Sequence, residues 1–304
     1  MMLLRLIPIF LLLVSTALYA DIESVKSGNV TKQVLYLRNK VPEEKTVLVA
    51  ILARNKAAVL PHFLRCIENL DYDKKRIGIY INTNNNVDTT KEILQDWMKE
   101  NQKNYRFIVF ENKEYEGELT VSPHDWNPTR FQLLGSIRNK SLQKAKEFGV
   151  DFYFVVDCDN FIAPCTLKEL IAKDKPIIAP LLRSIPEIND PYSNYFCDIT
   201  ENGYYRAHPD YWEILQREKI GIFKVPVVHC TYLIRSDAYD HLNYMDETED
   251  YEFVIFSRCA RNHYIDQYIC NEKEFGTLLH FSNNLALEEE NEKVAEIFNE
   301  THRE

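Results

Sequence analysis

The sequence Asp151-Phe-Tyr-Phe-Val-Val-Asp-Cys-Asp-Asn160 decides the fold class of this chain. Residues 152–156 are apolar or aromatic without interruption, which is typical of a strand that is buried on both faces in a parallel sheet. Asp157 and Asp159 follow directly, and strand alternation places both carboxylates on one side, with Cys158 opposite. Ligands of open α/β sheets bind outside the carboxyl ends of the strands. Two carboxylates at that position suit a hard divalent cation that holds a diphosphate.

The Asp-x-Asp pattern is short and also arises by chance. The alternative interpretation of residues 157–159 is a solvated turn after a strand. The choice between the two depends on the rest of the chain.

Strands and helices alternate over the first two thirds of the sequence. Apolar runs predict strands at 46–52, 77–82, 105–111, 152–156 and 177–181, and helical periodicity predicts helices at 60–70, 89–99 and 131–148. This alternation indicates right-handed βαβ units. The predicted fold class is therefore α/β, a single Rossmann-like domain with a mostly parallel sheet.

After residue 184 the pattern changes, and further strands are predicted within 221–234 and 264–270. Aromatic residues are frequent between these two parts of the chain. Such residues stack on sugar rings or line an acceptor groove, and they equally build an ordinary core. They are Tyr192, Tyr195, Phe196, Tyr204, Tyr205, Tyr211 and Trp212.

The sequence divides into four segments. Residues 1–20 are predicted to be a secretory signal peptide, with Arg5 before an apolar core and small-residue cleavage sites at its end. The apolar run is short for a membrane span, so no stable span is expected, and an uncleaved anchor is the alternative. Residues 21–45 are predicted to be a lead-in segment, 46–285 the folded domain, and 286–304 an acidic, solvated tail. The expected location is the secretory pathway, either the lumen of the endoplasmic reticulum or outside the cell.

Charge and composition exclude several classes of protein. The net charge of −10 argues against nucleic-acid binding, because the chain offers no basic stripe to phosphates. An odd number of cysteines, seven, leaves at least one thiol unpaired within the chain. The sequence has no glycine-rich phosphate loop, which argues against a nucleotide-sugar hydrolase or pyrophosphorylase.

Several segments together resemble the N-terminal domain of the procollagen galactosyltransferase family, which includes the cerebral endothelial adhesion molecule. In the family's order they are LARN at 52–55, NTNNNVDTT at 82–90, WNPTRF at 126–131, Arg138, FVVDCDN at 154–160, APLLRS at 179–184, YSNYFC at 192–197, GYY at 203–205, VPVVHCTYLI at 225–234 and YICNEKEFG at 268–276. The resemblance implies a GT-A fold, a UDP-sugar donor and a manganese or magnesium ion. The chain stops where family members continue into a second glycosyltransferase-like domain. At positions 251–252 this chain has Tyr-Glu where the family has an acidic pair.

The resemblance also implies a donor site. Asp157 and Asp159 would bind the metal, with Asp159 the more direct ligand and Asp157 reaching the metal or the ribose. Arg54 and Asn55 end the first strand of the domain, where a guanidinium could meet the diphosphate bidentately; a surface ion pair is the alternative for Arg54. Asp88 either holds the uracil or ribose or caps the next helix.

The other candidate residues lie on helices or late in the chain. Arg138 lies near the donor in the family, and a surface ion pair would also explain it. Glu252 is the first candidate for the base that deprotonates the acceptor, and Asp250 the second; the alternative is that this acidic run only favours a helix N-terminus. His280 is a candidate third metal ligand or a surface histidine. His229 is either part of the site or a core residue.

The function that follows is a metal-dependent glycosyltransferase. It would move a sugar, with galactose expected, from a UDP-sugar to an acceptor hydroxyl, with hydroxylysine of a collagen-like protein as the expected acceptor. The alternative is a non-catalytic binding or adhesion module that retains the fold and binds UDP weakly or not at all.

Overall fold

The computed structural model describes residues 18–27, 30–39, 45–115, 127–185, 192–281 and 285–300. The chain divides into two compact units, Met1–Glu44 and Lys45–Glu304. In the first unit, β1 (Leu18–Ser27) and β2 (Val30–Asn39) pair as a two-stranded antiparallel sheet. Residues 1–17 of the predicted signal peptide lie outside the described residues. Within the described ranges, no helix combines the length and the apolar character that crossing a bilayer requires.

The second unit begins with alternating strands and helices. They are β3 (Val47–Ala53), α1 (Leu60–Glu68), β4 (Ile77–Thr83), α2 (Thr90–Asn101), β5 (Phe107–Asn112), α3 (Pro128–Glu147) and β6 (Phe152–Val156). Each of these elements was predicted from the sequence, with bounds that differ by three residues or fewer. The continuous apolar strands and the amphipathic helices were therefore reliable signals.

The rest of the unit has shorter elements. They are β7 (Asn160–Ile162), α4 (Thr166–Ala172), β8 (Ile177–Pro180), β9 (Arg183–Ser184), β10 (Asp198–Ile199), β11 (Tyr205–Arg206), α5 (Tyr211–Leu215), β12 (Ile222–Val225), β13 (Thr231–Arg235), α6 (Glu252–Asn262), β14 (Gln267–Cys270), β15 (Gly276–Leu278) and α7 (Leu287–Glu300). Short 3₁₀ turns cover 74–76 and 236–241.

Eight strands form the central sheet in the order β12-β14-β8-β13-β6-β3-β4-β5. The run β6-β3-β4-β5 is parallel, as is the pair β14-β8. Strand β13 lies antiparallel between β6 and β8, and β12 is antiparallel to β14. The α/β class with a mostly parallel sheet is confirmed, and the antiparallel strands β12 and β13 are the departures from it.

Both faces of the sheet are covered, which explains why its strands are apolar along their whole length. Side chains of β3 alternate between two cores. Val49 and Ile51 pack with residues of α1 and α2, whereas Leu48 and Ala50 pack with residues of α3 and α6.

A second, three-stranded sheet of order β7-β15-β9 follows the Asp-x-Asp turn. Gly276 begins β15 with φ of +126°, and a Cβ there would lie 2.1 Å from the carbonyl oxygen of Phe161. Only glycine lets the two backbones approach this closely. The pairing carries residues 279–280 back to the Asp-x-Asp turn.

Helix α7 packs on the domain. Leu287 and Val294 are buried, and the ring of Phe298 stacks on His62 with centroids 3.6 Å apart. The prediction of a solvated tail is therefore wrong for this helix, because its apolar residues cover α1 and β7. All seven cysteines lie in the described residues and carry free thiols.

Candidate functional site

A pocket of about 170 Å³ opens at the carboxyl ends of β3, β4 and β6. This is the edge of the sheet where a ligand was expected. Its walls are the end of β3 with the following loop, the end of β4, one face of α3 and the Asp-x-Asp turn. The lining residues are Leu52, Ala53, Arg54, Lys56, Asn82, Asn84, Arg130, Leu133, Leu134, Ile137, Arg138, Asp157, Cys158 and Asp159.

The Asp-x-Asp turn is held in place by backbone hydrogen bonds to two other segments and by one bond within the turn. The backbone N–H of Asp157 donates to the carbonyl of Cys230 at 3.0 Å, and Asn160 N–H donates back to the carbonyl of Asp157 at 3.0 Å. The carbonyl of Asp159 accepts from Leu279 N–H at 2.8 Å. Both carboxylates line the pocket, with side chains 29% and 31% exposed. The turn therefore presents its oxygens in a fixed position.

Cys158 points its side chain toward the core, as strand alternation predicted. It is buried, and its thiol donates to the carbonyl of Leu52 at 3.4 Å. Burial, together with Asp159 and Asp157, raises the pKa of this thiol well above its usual range. Cys158 therefore stays protonated and is no candidate for a thiolate ligand.

Helix α3 begins at Pro128, with the side chain of Asn127 accepting the backbone N–H of Arg130 at 3.0 Å. The spacing of three and four residues then places one stripe of α3 against the pocket. That stripe is Arg130, Leu133, Leu134, Ile137 and Arg138.

Arg138 lies buried between two carboxylates. Its Nη2 donates to Asp157 Oδ1 at 2.8 Å, and its Nε donates to Glu252 Oε1 at 3.2 Å. Burial disfavours the charge, but the carboxylates, chiefly that of Asp157, outweigh it and raise the pKa of Arg138. The alternative of a surface ion pair is wrong, because the side chain of Arg138 is only 5% exposed.

Glu252 is the first residue of α6 and is 4% exposed. Burial, opposed by Arg138, raises the pKa of its carboxyl. It does not line the pocket but lies behind Arg138. A Cβ at Gly135 would lie 3.5 Å from the Cβ of Glu252 and 2.6 Å from the carbonyl oxygen of Tyr244, so glycine lets α3 and α6 approach.

Asp250 has other partners. Tyr204 Oη donates to it at 2.7 Å and Arg258 Nη1 at 2.8 Å. Burial raises the pKa of Asp250, and the hydrogen bonds from Tyr204 and Arg258 more than reverse this, so the net pKa is lowered. A lowered pKa makes Asp250 the weaker base of the two candidates.

Lys56 faces the carboxylates from the loop after β3. Its Nζ lies 3.6 Å from Asp159 Oδ2 and 3.2 Å from Glu290 Oε1 on α7. Burial raises the pKa of Asp159, Lys56 lowers it and Asp157 raises it further, for a net increase. Burial is the largest cause of this shift, because it disfavours the charged form of the carboxyl.

Of the residues predicted after β3, only Arg54 lines the pocket, and burial lowers its pKa. Asn55 adopts φ of +53° and joins two loops: its N–H donates to Asn86 Oδ1 and its Oδ1 accepts from Val87 N–H, both at 2.9 Å. Asn55 therefore stabilises the two loops behind the pocket and does not line the pocket itself.

Asp88 accepts two backbone hydrogen bonds at 3.0 Å, from Ala57 N–H and from Thr90 N–H at the start of α2. In the second of these bonds the acceptor, Asp88, is the residue before the N-cap of α2, which is Thr89 and makes no side-chain capping bond. Asp88 is not among the residues that line the pocket.

Two residues that the sequence analysis did not assign end β4. Asn82 and Asn84 are 2% and 6% exposed, and both line the pocket. Neither side-chain Oδ1 has a hydrogen-bond partner among the described residues. Buried acceptors are normally satisfied, so these two carbonyls suit a donor group of a bound molecule.

Two histidines lie close to the Asp-x-Asp turn. His280 directly follows Leu279, which bonds to Asp159, and stacks on Tyr192 with centroids 3.8 Å apart. His229 is buried, and burial, together with Arg138 and His280, lowers its pKa to about 3, so its ring is neutral. Within the described ranges, no group of three or more His, Cys, Asp and Glu side chains could by itself hold a metal ion.

Part of the aromatic segment builds core, which is one of the two roles that the sequence left open, and the role in binding stays a prediction. Tyr195 is buried and stacks on Tyr211 with centroids 5.5 Å apart, so it builds core. Tyr205 and Trp212 are 43% and 51% exposed and remain available for binding.

Comparison with solved structures supports the fold. The crystal structure of GalNAc-T7 with UDP, GalNAc and Mn²⁺ superposes with a TM-score of 0.52 over 86% of this chain and 49% of that chain, at 14% identity. The predicted GT-A fold is confirmed.

Comparison with sequences shows the family. Procollagen galactosyltransferase 2 of Homo sapiens is 39% identical over 248 residues, 78% of this chain and 39% of that protein. Inactive glycosyltransferase 25 family member 3 of Homo sapiens is 32% identical over 243 residues, 76% of this chain and 40% of that protein. The chain thus spans about two fifths of the length of these relatives. The family model described as glycosyltransferase family 25, N-terminal domain, matches residues 44–298, and the chain belongs to this family.

Proposed function

We propose that the chain binds a UDP-sugar together with a divalent cation and transfers the sugar to an acceptor hydroxyl. The observation that carries this proposal is the convergence of Asp157 and Asp159 on one pocket at the carboxyl ends of β3, β4 and β6. Glycosyl transfer needs a neutralised diphosphate and a positioned donor, and this pocket offers groups for both tasks.

The carboxylates of Asp157 and Asp159 fit Mn²⁺ or Mg²⁺, because these hard cations prefer oxygen ligands and keep positions open for phosphate oxygens. Both carboxylates line the same pocket, and a cation bound by both would offset their mutual repulsion. When bound, the ion would neutralise the charge of the diphosphate leaving group. His280 follows Leu279, which bonds to Asp159, but a role as a further ligand stays a prediction, because the described side chains form no group of three metal ligands.

Asn82 and Asn84 are proposed to recognise the base. Uracil offers one N–H donor and two carbonyl acceptors, and an amide side chain can meet either kind of group. The unsatisfied Oδ1 atoms are the reason for this assignment: one of them can accept the single uracil N–H, and the amide N–H₂ of the other residue can donate to a uracil carbonyl. Arg54 is proposed to meet the diphosphate, because a guanidinium binds phosphate oxygens in pairs.

Arg138 is proposed to orient Asp157, with Glu252 holding the guanidinium from behind. Glu252 is in this respect a positioning residue. A direct role of Glu252 or Asp250 as the base stays a prediction, and the raised pKa of Glu252 favours it over Asp250.

The proposed sugar is galactose and the proposed acceptor is hydroxylysine of a collagen-like protein, by similarity to the procollagen galactosyltransferases. The secretory pathway is the proposed location on the same ground. A second candidate function, a non-catalytic binding module, is favoured by the inactive relative. The presence of both Asp157 and Asp159 in the pocket supports the enzyme.

The test is calorimetric titration of the chain with UDP, with and without Mn²⁺. We expect manganese-dependent binding that the double variant Asp157→Ala, Asp159→Ala abolishes. Asp71→Ala is the matched control, because that carboxylate is 65% exposed and pairs with Lys168. A folded protein that binds no UDP would support the non-catalytic module, whereas binding should be followed by turnover assays with UDP-galactose, hydroxylysine peptides and EDTA.

A further inference from the structure

Helix α7 is fastened to the donor pocket through one buried ion pair. Glu290 on this helix is 4% exposed, and its Oε1 lies 3.2 Å from Lys56 Nζ. A buried carboxylate is costly unless it is paired, so Glu290 requires a cation at this place. Lys56 supplies that cation from a position 234 residues earlier in the chain.

Lys56 also faces the pocket. It is one of the lining residues, its side chain is 20% exposed, and its Nζ lies 3.6 Å from Asp159 Oδ2. At this distance the contact with Asp159 is an ion pair without a hydrogen bond. An ammonium has three N–H donors, and Glu290 takes one of them, so capacity remains for an anion in the pocket.

The backbone of Lys56 is fixed independently of its side chain. Its N–H donates to Thr90 Oγ1 at 2.7 Å, and its carbonyl accepts from Leu60 N–H at 3.0 Å at the start of α1. The helix that carries Glu290 is fixed as well, by the stacking of Phe298 on His62. The ammonium is therefore held between two rigid elements, at the edge of the carboxylate pair.

We propose that Lys56 binds the diphosphate of the nucleotide donor and that Glu290 is the positioning residue that holds it there. This inference rests on the proposed function, since it concerns the same pocket. When a divalent cation occupies Asp159, Lys56 loses that carboxylate as a partner but keeps Glu290. The ion pair with Glu290 then keeps the ammonium of Lys56 facing the phosphate oxygens. Helix α7, which carries Glu290, is in this way part of the donor site.

The competing explanation is that Lys56 only neutralises Asp159 when the metal is absent. The two explanations predict opposite changes in UDP affinity when Lys56 is removed. If Lys56 binds the diphosphate, its removal should weaken the binding of UDP and leave that of uridine unchanged. If Lys56 is only a counter-ion, it competes with the metal for Asp159. Its removal should then strengthen Mn²⁺ binding and leave UDP affinity equal or higher.

The experiment measures the dissociation constants of UDP, uridine and Mn²⁺ by calorimetry for the unaltered chain and five variants. We expect Lys56→Met to weaken UDP binding about 10-fold or more in the presence of Mn²⁺, with uridine affinity unchanged. Glu290→Gln should weaken UDP binding in the same selective way by about 3-fold or more, because the ion pair that holds Lys56 becomes a hydrogen bond to an uncharged acceptor. Lys293→Met and Glu292→Gln, two exposed positions on the same helix, are the matched controls and should bind as the unaltered chain does.

Retained uridine binding shows that the variants are folded. An equal loss for UDP and uridine, no loss in either, or tighter binding of UDP and Mn²⁺ would overturn the inference. In all three cases the proposed function stands if the unaltered chain binds UDP with Mn²⁺. Absence of UDP binding by the unaltered chain would overturn both. Lys56→Arg is a second variant that keeps the charge, and it should lose less UDP affinity than Lys56→Met.

Discussion

Arg138 Nη2 lies 2.8 Å from Asp157 Oδ1, so the first carboxylate of the Asp-x-Asp turn is already paired with a buried cation. The same guanidinium holds Glu252 at 3.2 Å. One residue of α3 thus ties the metal-binding turn to α6, and the geometry of the pocket depends on it.

Replacing Arg138 by Met should reduce the free energy of unfolding by about 3 kcal/mol, because it leaves two carboxylates without their cation, Glu252 among them deeply buried. Urea unfolding at neutral pH measures this change. Arg206→Met is the control: this guanidinium is 60% exposed, and its pair with Asp198 should contribute little because water screens it. Equal losses in the two variants would contradict the structural role of Arg138.

Glu252→Gln separates a positioning role from a role as base. The amide oxygen still accepts from Arg138 Nε, but the lost charge lets Arg138 bind Asp157 more tightly at the expense of the metal. We expect UDP affinity with Mn²⁺ and turnover to fall together, by less than about 10-fold. A loss of about 100-fold or more in turnover alone, with UDP affinity unchanged, would instead identify Glu252 as the base.

Asn82→Leu and Asn84→Leu should weaken UDP and uridine binding alike, by about 10-fold each, because the lost hydrogen bond is to the base. This pattern differs from the selective loss expected at Lys56. Asn104→Leu, an exposed position after α2, is the control. Uridine affinity that survives both substitutions would show that the base binds elsewhere.

Asp151 should make the stability depend on pH. It accepts hydrogen bonds from the backbone N–H and hydroxyl of Thr46 and from Lys45 Nζ at 2.8–3.0 Å. Burial raises its pKa, but Thr46 and Lys45 reverse this and lower it below the usual value. A lowered folded-state pKa means that the stabilisation is complete above about pH 4 and is lost as pH falls through the folded-state pKa.

Asp151→Asn should therefore reduce the free energy of unfolding by roughly 1–2 kcal/mol at pH 7. The difference between this variant and the unaltered chain should shrink as pH falls below 4, since the unaltered carboxyl then binds a proton too. Urea unfolding at several pH values measures both. A difference that stays constant down to pH 2 would show that the charge of Asp151 plays no part.

Gly276→Ala should be more destabilising than Gly149→Ala. Both glycines have positive φ, +126° and +60°, but a Cβ at Gly149 meets nothing within 4 Å whereas one at Gly276 would meet the Phe161 carbonyl. We expect about 1 kcal/mol for Gly149 and clearly more for Gly276. Thermal unfolding compares the two, and equal shifts in Tm would mean that β7 and β15 separate without cost.

The sequence predicted the first half of the domain well because its elements are determined locally. The run 152–156 is apolar on both faces, so its burial in a parallel sheet and the position of Asp157 and Asp159 after it followed directly. The sheet partner of β6 did not follow. Strand β13 inserts antiparallel between β6 and β8, and such pairing depends on tertiary contacts rather than on local pattern.

The candidate site was only partly predictable for the same reason. Asp157, Asp159 and Arg54 end strands and were found, and the polar residues Asn82 and Asn84 at the end of β4 offered a similar signal that was not used. Glu290 lies three residues after Leu287 and four before Val294, so helical spacing places it on the buried face, but its choice of partner in the domain could not be found from the sequence. That choice is made by the packing of α7 on α1.

The insertion of β13 also determines when the domain can fold during synthesis. Thr231 leaves the ribosome about 75 residues after Val156, which at cellular rates of translation is a delay of roughly 4–15 s. For that time β6 carries an unpaired edge of aromatic and branched side chains, and the turn after it lacks the carbonyl of Cys230. The nascent chain is therefore prone to associate through this edge, and its yield in cells should depend on chaperones that cover the first half until the second half arrives.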